Sequence, residues 1–407
     1  MHGTRRDPAK FFFKRICTKY GDNNIPTLRA REGAPDRGAH NKVETLADHW
    51  VDVFNGRTDQ PGDIKSYVDK FKDQWETQDL SDIDKAITEP EVMAAIGKWK
   101  LGKACGPDNI SNEWYRDDAE QVVPILTRLY NVCLREDCIP ESFLEAYIFS
   151  ISKGGDTCNA LNYRPIALLN TDYKVFTRIL AWRVRKHLSK LVHDTQFGFV
   201  PGRNIHDTID LLEAAKVVAR QNGKLSNAQV LLLDFAKAYD SLDREFLREV
   251  LKAKGFPPKF IGLVQASHTN TSVRFMANGR LSNPMQVTSG IRQGCPLAPL
   301  FFIIAVDLLY DAISSEEKLR GVELSCGSYR DHINVAGYAD DTAIYLESSD
   351  LQDIALEIVN CFSAVSGLRL NIKKSVAIRL GAPQQCILPA PDITARDCTA
   401  AQYKRCK

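Results

Sequence analysis

Four consecutive aliphatic residues, Val230, Leu231, Leu232 and Leu233, followed at once by Asp234, constrain the fold of this chain more than any other feature. A run that is apolar at every position, without alternation, suits a strand covered on both faces. Such a strand needs neighbours on either side and helices packed above and below it. An acid at its carboxyl end is then presented at the edge of a buried sheet, which is where a sheet offers a ligand.

The rest of the pattern is consistent with that demand. Strand signals fall at 229–233, 272–276, 284–288, 333–336 and 342–346, and helical spacing at 43–54, 89–99, 122–134, 173–188, 242–252, 297–313 and 353–366. Helices interleaved with strands predict an α+β or α/β layering. The last two strands are separated by a short acidic turn containing Tyr338, Ala339, Asp340 and Asp341. A hairpin there exposes two adjacent carboxylates. Adjacent acids repel each other, so a turn that displays them calls for a cation. An isolated Asp-Asp pair is an ordinary solvated turn; Asp234, on a second strand, changes the balance. Three acids from two strands suit two hard divalent ions at the ~3.5–4 Å spacing of two-metal phosphoryl transfer.

Charge is unevenly distributed along a chain of net charge +2. Residues 163–190 hold seven Lys or Arg against Asp172 alone, and residues 366–407 hold eight against Asp392 and Asp397. Within 173–188, Lys174, Arg178 and Arg185 share one helical face and Val175, Ile179 and Trp182 another. Local basic stretches suit a polyanion tracked along a groove. The eleven Cys include no Cys-x-x-Cys pair, and Cys133 and Cys138 lack partners for a zinc site, so they read as reduced thiols. No apolar run approaches a membrane span and the basic, broken N-terminus is no secretory signal, which predicts an intracellular protein of nucleus or cytoplasm.

The run Leu233-Asp234-Phe235-Ala236-Lys237-Ala238-Tyr239-Asp240 resembles polymerase motif A of non-LTR retrotransposon reverse transcriptases, and Tyr338-Ala339-Asp340-Asp341 resembles their motif C. Between them, Gly290-Ile291-Arg292-Gln293-Gly294-Cys295-Pro296-Leu297-Ala298-Pro299 resembles motif B. After them, Ser366-Gly367-Leu368-Arg369-Leu370-Asn371 through Lys374 resembles motif D. Upstream, Lys103-Ala104-Cys105-Gly106-Pro107-Asp108-Asn109-Ile110, Tyr163-Arg164-Pro165-Ile166-Ala167-Leu168, and Gln196-Phe197-Gly198-Phe199 with Gly202-Arg203 resemble the family's entry and fingers motifs. The resemblance covers about 43–380.

This resemblance implies an α+β right-hand polymerase, with helical fingers at 43–228 and a palm at 229–380 built on a small antiparallel sheet. Asp234, Asp340 and Asp341 are implied as ligands of two Mg²⁺ ions, or Mn²⁺ in their place, with the Phe235 carbonyl as a further oxygen. Tyr239 is implied to lie under the incoming sugar and exclude a 2′-hydroxyl. Gln293 and Gly294 are implied to face the nascent base pair, Lys153 and Arg164 to hold the triphosphate, and Lys374 to contact pyrophosphate or donate a proton. Arg203, with Lys174, Arg178 and Arg185, is implied to contact nucleic-acid phosphates. The partners are then an RNA template, a DNA primer and a dNTP, with no membrane.

Two segments depart from the family pattern. Residues 1–42 read as an extension or linker, too short for an endonuclease. The tail at 381–407 does not resemble a thumb, which is therefore expected to be missing or truncated. The expected function is RNA-directed DNA synthesis by nucleotidyl transfer onto a primer 3′-hydroxyl. The alternatives are a catalytically inactive nucleic-acid-binding remnant and a group II intron maturase-like reverse transcriptase.

Overall fold

The computed structural model describes residues 25, 27–33, 41–56, 62–326, 329–381 and 394–395. Most of the expected extension, and the tail beyond Gly381 apart from Thr394 and Ala395, lie outside these residues. The fold is α+β, and it divides into two compact units, each assembled from separated stretches of chain.

The first unit comprises residues 1–58, 79–184 and 256–298. Its sheet has β1 (Glu145–Ser152), β2 (Tyr163–Leu168), β5 (Thr271–Ala277), β6 (Arg280–Leu281) and β7 (Met285–Val287), in the order β2-β1-β5-β6 with β7 also on β5. The β1–β5 pair is parallel and the remaining pairs are antiparallel. Neither β1 nor β2 was anticipated from periodicity. Its longer helices are α1 (Lys42–Phe54), α2 (Glu89–Gly97), α3 (Ala119–Glu136), α4 (Thr171–Arg185) and α7 (Pro258–Ala266). The start of α2 is set by a capping box in which the Thr88 backbone amide donates to Glu91. Glu91 in turn receives both arms of the buried Arg183, each at 2.9 Å. The same guanidinium donates to the carbonyls of Ile83 and Ala86, so one cation ties α4 to the chain leading into α2.

The second unit comprises residues 59–78, 185–255 and 299–407. Its sheet runs β10 (Val335–Tyr338), β11 (Asp341–Leu346), β3 (Gln229–Leu233), β13 (Val376–Arg379) and β14 (Thr394–Ala395). All pairings are antiparallel except β13–β14. Small ribbons are formed by β4 (Phe235–Ala236) with β12 (Arg369–Leu370) and by β8 (Val322–Cys326) with β9 (Tyr329–Ile333). The strand at 229–233 falls where the sequence places it, between two neighbours, with Val230 and Leu231 fully buried. Leu212 and Ala215 of α5 (Ile205–Gln221) pack on Val230, Ala343, Tyr345 and Ile378. The unit also holds α6 (Arg244–Ala253), α8 (Ala298–Ser314, but for its first residue) and α9 (Gln352–Ser366). No helix among the described residues is long and apolar enough to cross a membrane.

Compactness follows a different division from the linear one at 228/229. Residues 256–298 join the first unit because β5 hydrogen-bonds to β1, and residues 185–228 join the second because α5 covers the sheet around β3.

Helix α8 is apolar on every side, and its buried acid Asp307 is matched by Lys254 at 2.7 Å. One turn on, Asp311 accepts from the Trp75 indole at 2.8 Å. Burial, reinforced by the charge on Asp307, pushes the Asp311 carboxyl up to about 6. The folded chain thus favours neutral Asp311, so its contribution to stability is complete below the ordinary aspartate value and lost as pH rises through about 6. Asp311→Asn keeps an acceptor for Trp75 without the charge. It is expected to raise the denaturation midpoint at pH 7.5, with the gain shrinking as pH falls from 6 to 4, measured by urea unfolding across that range.

Candidate active site

Register brings the acids to one end of the second unit's sheet. Leu233 is paired with Thr342, so Asp234 and Asp341 are the next residues along, abreast on neighbouring strands. Tyr338 pairs with Asp341, which leaves Ala339 and Asp340 as the turn. The two adjacent acids are therefore not equivalent. Asp340 is exposed in the turn, whereas Asp341 opens β11 and is half-buried.

Asp234 is held from both its backbone and its side chain. Its amide donates to the Ser375 hydroxyl at 3.1 Å, and its carbonyl accepts from the Asn371 amide at 2.7 Å. The Asn371 carboxamide donates to the Asp234 carboxylate at 2.9 Å. Asn371 lies within the stretch read as motif D, yet its part in orienting Asp234 was not legible there. Phe235 is buried and pairs with Leu370 in the β4–β12 ribbon, which carries the segment of Asn371 to Asp234.

Tyr239 follows through a left-handed Lys237 that turns the chain into the short helix Ala238–Ser241. Its ring stacks on Phe302 of α8, with centroids 4.8 Å apart. Its hydroxyl is pushed up by burial and then by the charge of Asp340, which puts Tyr239 within electrostatic reach of the acidic turn. Lys374 is exposed in the turn that follows Asn371, and its neighbour Lys373 is exposed as well.

Hard carboxylate oxygens at a sheet end fit a hard divalent cation better than a soft one. Adjacency of backbone positions is what the fold provides. Among the described residues, no three His, Cys, Asp or Glu side chains are drawn together closely enough to hold an ion.

Arg203 is engaged within its own unit. Its guanidinium, largely buried, donates to the carbonyls of His193 at 2.7 Å and Gln196 at 2.8 Å and reaches Asp194 at 3.1 Å, so it braces the 193–196 loop. Arg185 is exposed, with only long contacts to the Phe199 carbonyl.

The remaining expected site residues belong to the first unit. Lys153 and Arg164 are exposed on the β1–β2 hairpin, where the Lys153 amide donates to the Asn162 carbonyl. Arg164 faces Ile151 across that hairpin. The Gln293 carbonyl accepts from Ala167 of β2 at 2.7 Å. Gly294, at φ 130°, passes so close that a Cβ would meet the Ala167 carbonyl oxygen at 2.3 Å. Arg292 fixes this passage from below: buried, it donates to the carbonyls of Phe143 and Ser267 and lies over the Tyr173 ring at 4.3 Å. Lys174 and Arg178 do not form a bare basic face, because both lie over the Trp99 indole, at 5.4 and 3.9 Å.

The sequence matches the family described as reverse transcriptase (RNA-dependent DNA polymerase) over residues 151–399, more than half of the chain. The chain belongs to the reverse transcriptase family. It is 29% identical over 383 residues to the transposon TX1 uncharacterized 149 kDa protein of Xenopus laevis, covering 94% of this chain and 29% of that protein. To the retrovirus-related Pol polyprotein from type-2 retrotransposable element R2DM of Drosophila melanogaster it is 26% identical over 309 residues, covering 75% and 28%. To the polyprotein from type-1 retrotransposable element R2 of Nasonia vitripennis it is 24% identical over 281 residues, covering 68% and 26%. This reverse transcriptase chain thus spans about three-tenths of the length of the curated relatives it matches.

In this reverse transcriptase, Asn371→Ala removes the side-chain donor to Asp234 while leaving the backbone bonds in place. It is expected to slow single-nucleotide addition by about 10-fold or more, as loss of a partner that orients a site residue does. The thermal midpoint should move little, and addition rates read alongside thermal melts check both.

Proposed function

We propose that this chain is the polymerising part of a non-LTR retrotransposon reverse transcriptase, joining deoxynucleotides to a primer 3′-hydroxyl on an RNA template. The observation that carries the reading is the β3–β11 register, which sets Asp234 and Asp341 abreast with Asp340 in the adjoining turn. In this reading the second unit contains the palm, and Asp234, Asp340, Asp341 and the Phe235 carbonyl would hold two Mg²⁺, or Mn²⁺. When bound, such ions lower the pKa of the attacking hydroxyl and neutralise the leaving pyrophosphate.

The chain's own groups divide the remaining work. Asn371 and Ser375 keep Asp234 oriented before substrate arrives. Tyr239, braced by Phe302, offers a rigid aromatic surface beside the acids, and its bulk fills the volume a 2′-hydroxyl needs. Lys374 supplies a cation for departing pyrophosphate. On the first unit, Lys153 as a point charge and Arg164 as a planar fork suit triphosphate oxygens. Gln293 and Gly294 present backbone for close approach to a base pair.

Single-nucleotide addition to a DNA primer on an RNA template, with Asp340→Ala as the blank, tests this function. Incorporation is expected above the blank with Mg²⁺ or Mn²⁺, and Tyr239→Ala is expected to raise the ratio of ribonucleotide to deoxynucleotide incorporation. A chain that binds primer-template and adds nothing above the blank would be a nucleic-acid-binding protein and not a polymerase. An unchanged ratio in an active Tyr239→Ala variant would make that side chain a core aromatic only.

A further inference from the structure

We propose that Gln196 is a positioning residue for the acidic turn: its carboxamide holds Ala339 in the left-handed conformation from which Asp340 and Asp341 follow. The proposal rests on the reading of those acids as metal ligands. Ala339 has φ 60° and is buried, although it carries a β-carbon. That conformation costs an ordinary residue about 1–2 kcal/mol, so something must hold it.

The fully buried side chain of Gln196 fills its four hydrogen-bonding positions around this residue. Its Oε1 accepts from the amides of Ala339 at 3.0 Å and Gly198 at 2.9 Å. Its Nε2 donates to the Ala339 carbonyl at 3.4 Å and to the Tyr310 hydroxyl of α8 at 3.3 Å. Both backbone groups of Ala339 are thus read by one amide. Rotating Ala339 out of the left-handed region would strip two of these bonds and leave buried polar groups unmatched. An unmatched buried group costs about 1–3 kcal/mol, and two of them outweigh the strain.

The amide is itself held in place. The Phe197 amide donates to the Gly337 carbonyl at 2.8 Å and the Gly337 amide to the Thr195 carbonyl at 3.0 Å, so residues 195–197 lie like a further strand beside β10. Arg203 grips the carbonyls of His193 and Gln196 on the other side. At position 198 a Cβ would come within 2.3 Å of the Ala339 amide nitrogen, so only glycine lets the loop approach. Loop, amide and turn form one chain of contacts ending at the residue before Asp340.

The experiment uses the full chain and Mn²⁺ as the probe, with free Mn²⁺ measured by electron paramagnetic resonance and folding followed by circular dichroism. The parent is expected to bind Mn²⁺ more tightly than Asp340→Ala. Gln196→Leu is expected to weaken binding about 10- to 100-fold, as loss of a partner that orients metal ligands does. Adding Ala339→Gly to Gln196→Leu should restore much of the affinity, because glycine takes the left-handed conformation without the Cβ clash. A general structural defect would not be repaired by that second change. Gln196→Glu, which keeps the accepting oxygen and loses both donated bonds, should weaken binding by about 3- to 10-fold and carries the test if Gln196→Leu does not fold. Folded Gln196→Leu or Gln196→Glu with parental affinity overturns the proposal, as does a double variant no better than Gln196→Leu. Equal Mn²⁺ binding by parent and Asp340→Ala overturns the ligand reading and the positioning proposal with it, and is told apart by the parent's own titration.

Discussion

The hydrogen-bonded register of β3 against β11 is the constraint on which the rest of the second unit depends. A strand buried on both faces cannot slip by one residue without turning every side chain to the wrong layer. Leu231 pairs with Ile344 on one face and Val230 with Tyr345 on the other, all four buried, so the register is locked by packing on each side of the sheet. Once it is locked, the first polar residue beyond the ladder on each strand is an acid. The juxtaposition of Asp234 with Asp341 is therefore a by-product of core packing, and no attraction between the acids is needed to bring it about.

Around that sheet end the supports come from distant parts of the chain and share a common character. Asn371 and Ser375 address Asp234, Gln196 addresses the turn before Asp340, and Phe302 lies against Tyr239. Tyr310 and Phe302 belong to the same buried helix, α8, so one rigid element backs both the aromatic residue and the turn. Rigid supports of this kind fix side chains before substrate binds, which is where pre-organisation lowers a barrier. In the first unit Arg292 has the equivalent place, a buried cation that caps two carbonyls under the Gln293–Gly294 passage.

The parts of this arrangement legible in sequence are those that depend on neighbours along the chain. The apolar run ending at Asp234, the helix at Gln352–Ser366 and the pair of β-rich segments around the acidic turn all read correctly because periodicity is a local property. β1 and β2 were missed because their alternation is partial and because β1, to which β2 is paired, finds its other neighbour β5 more than a hundred residues away. The split between Asp340 in the turn and Asp341 in the strand needed the register, which sequence does not state. The intramolecular contacts of Arg203 and Arg178 were not legible, because charge is visible in sequence and its partners are not. Arg203 meets the carbonyls of residues 193 and 196, and Arg178 the face of Trp99. Gln196 and Asn371 stood in plain view within recognisable motifs, but a neutral amide carries no signal of what it holds.

The cradle of Asp234 has a consequence for the order in which the protein can be made. Ser375, whose hydroxyl receives the Asp234 amide, lies 141 residues further along the chain. The neighbour of β3 on that side, β13, begins only at Val376. On a ribosome, the apolar run at 230–233 emerges long before the strand that will cover its open edge. An unpaired apolar edge is a template for pairing with another chain. The nascent protein therefore carries this apolar strand uncovered on that edge through the synthesis of some 140 residues. Its chemistry and its solubility are completed by the same late stretch.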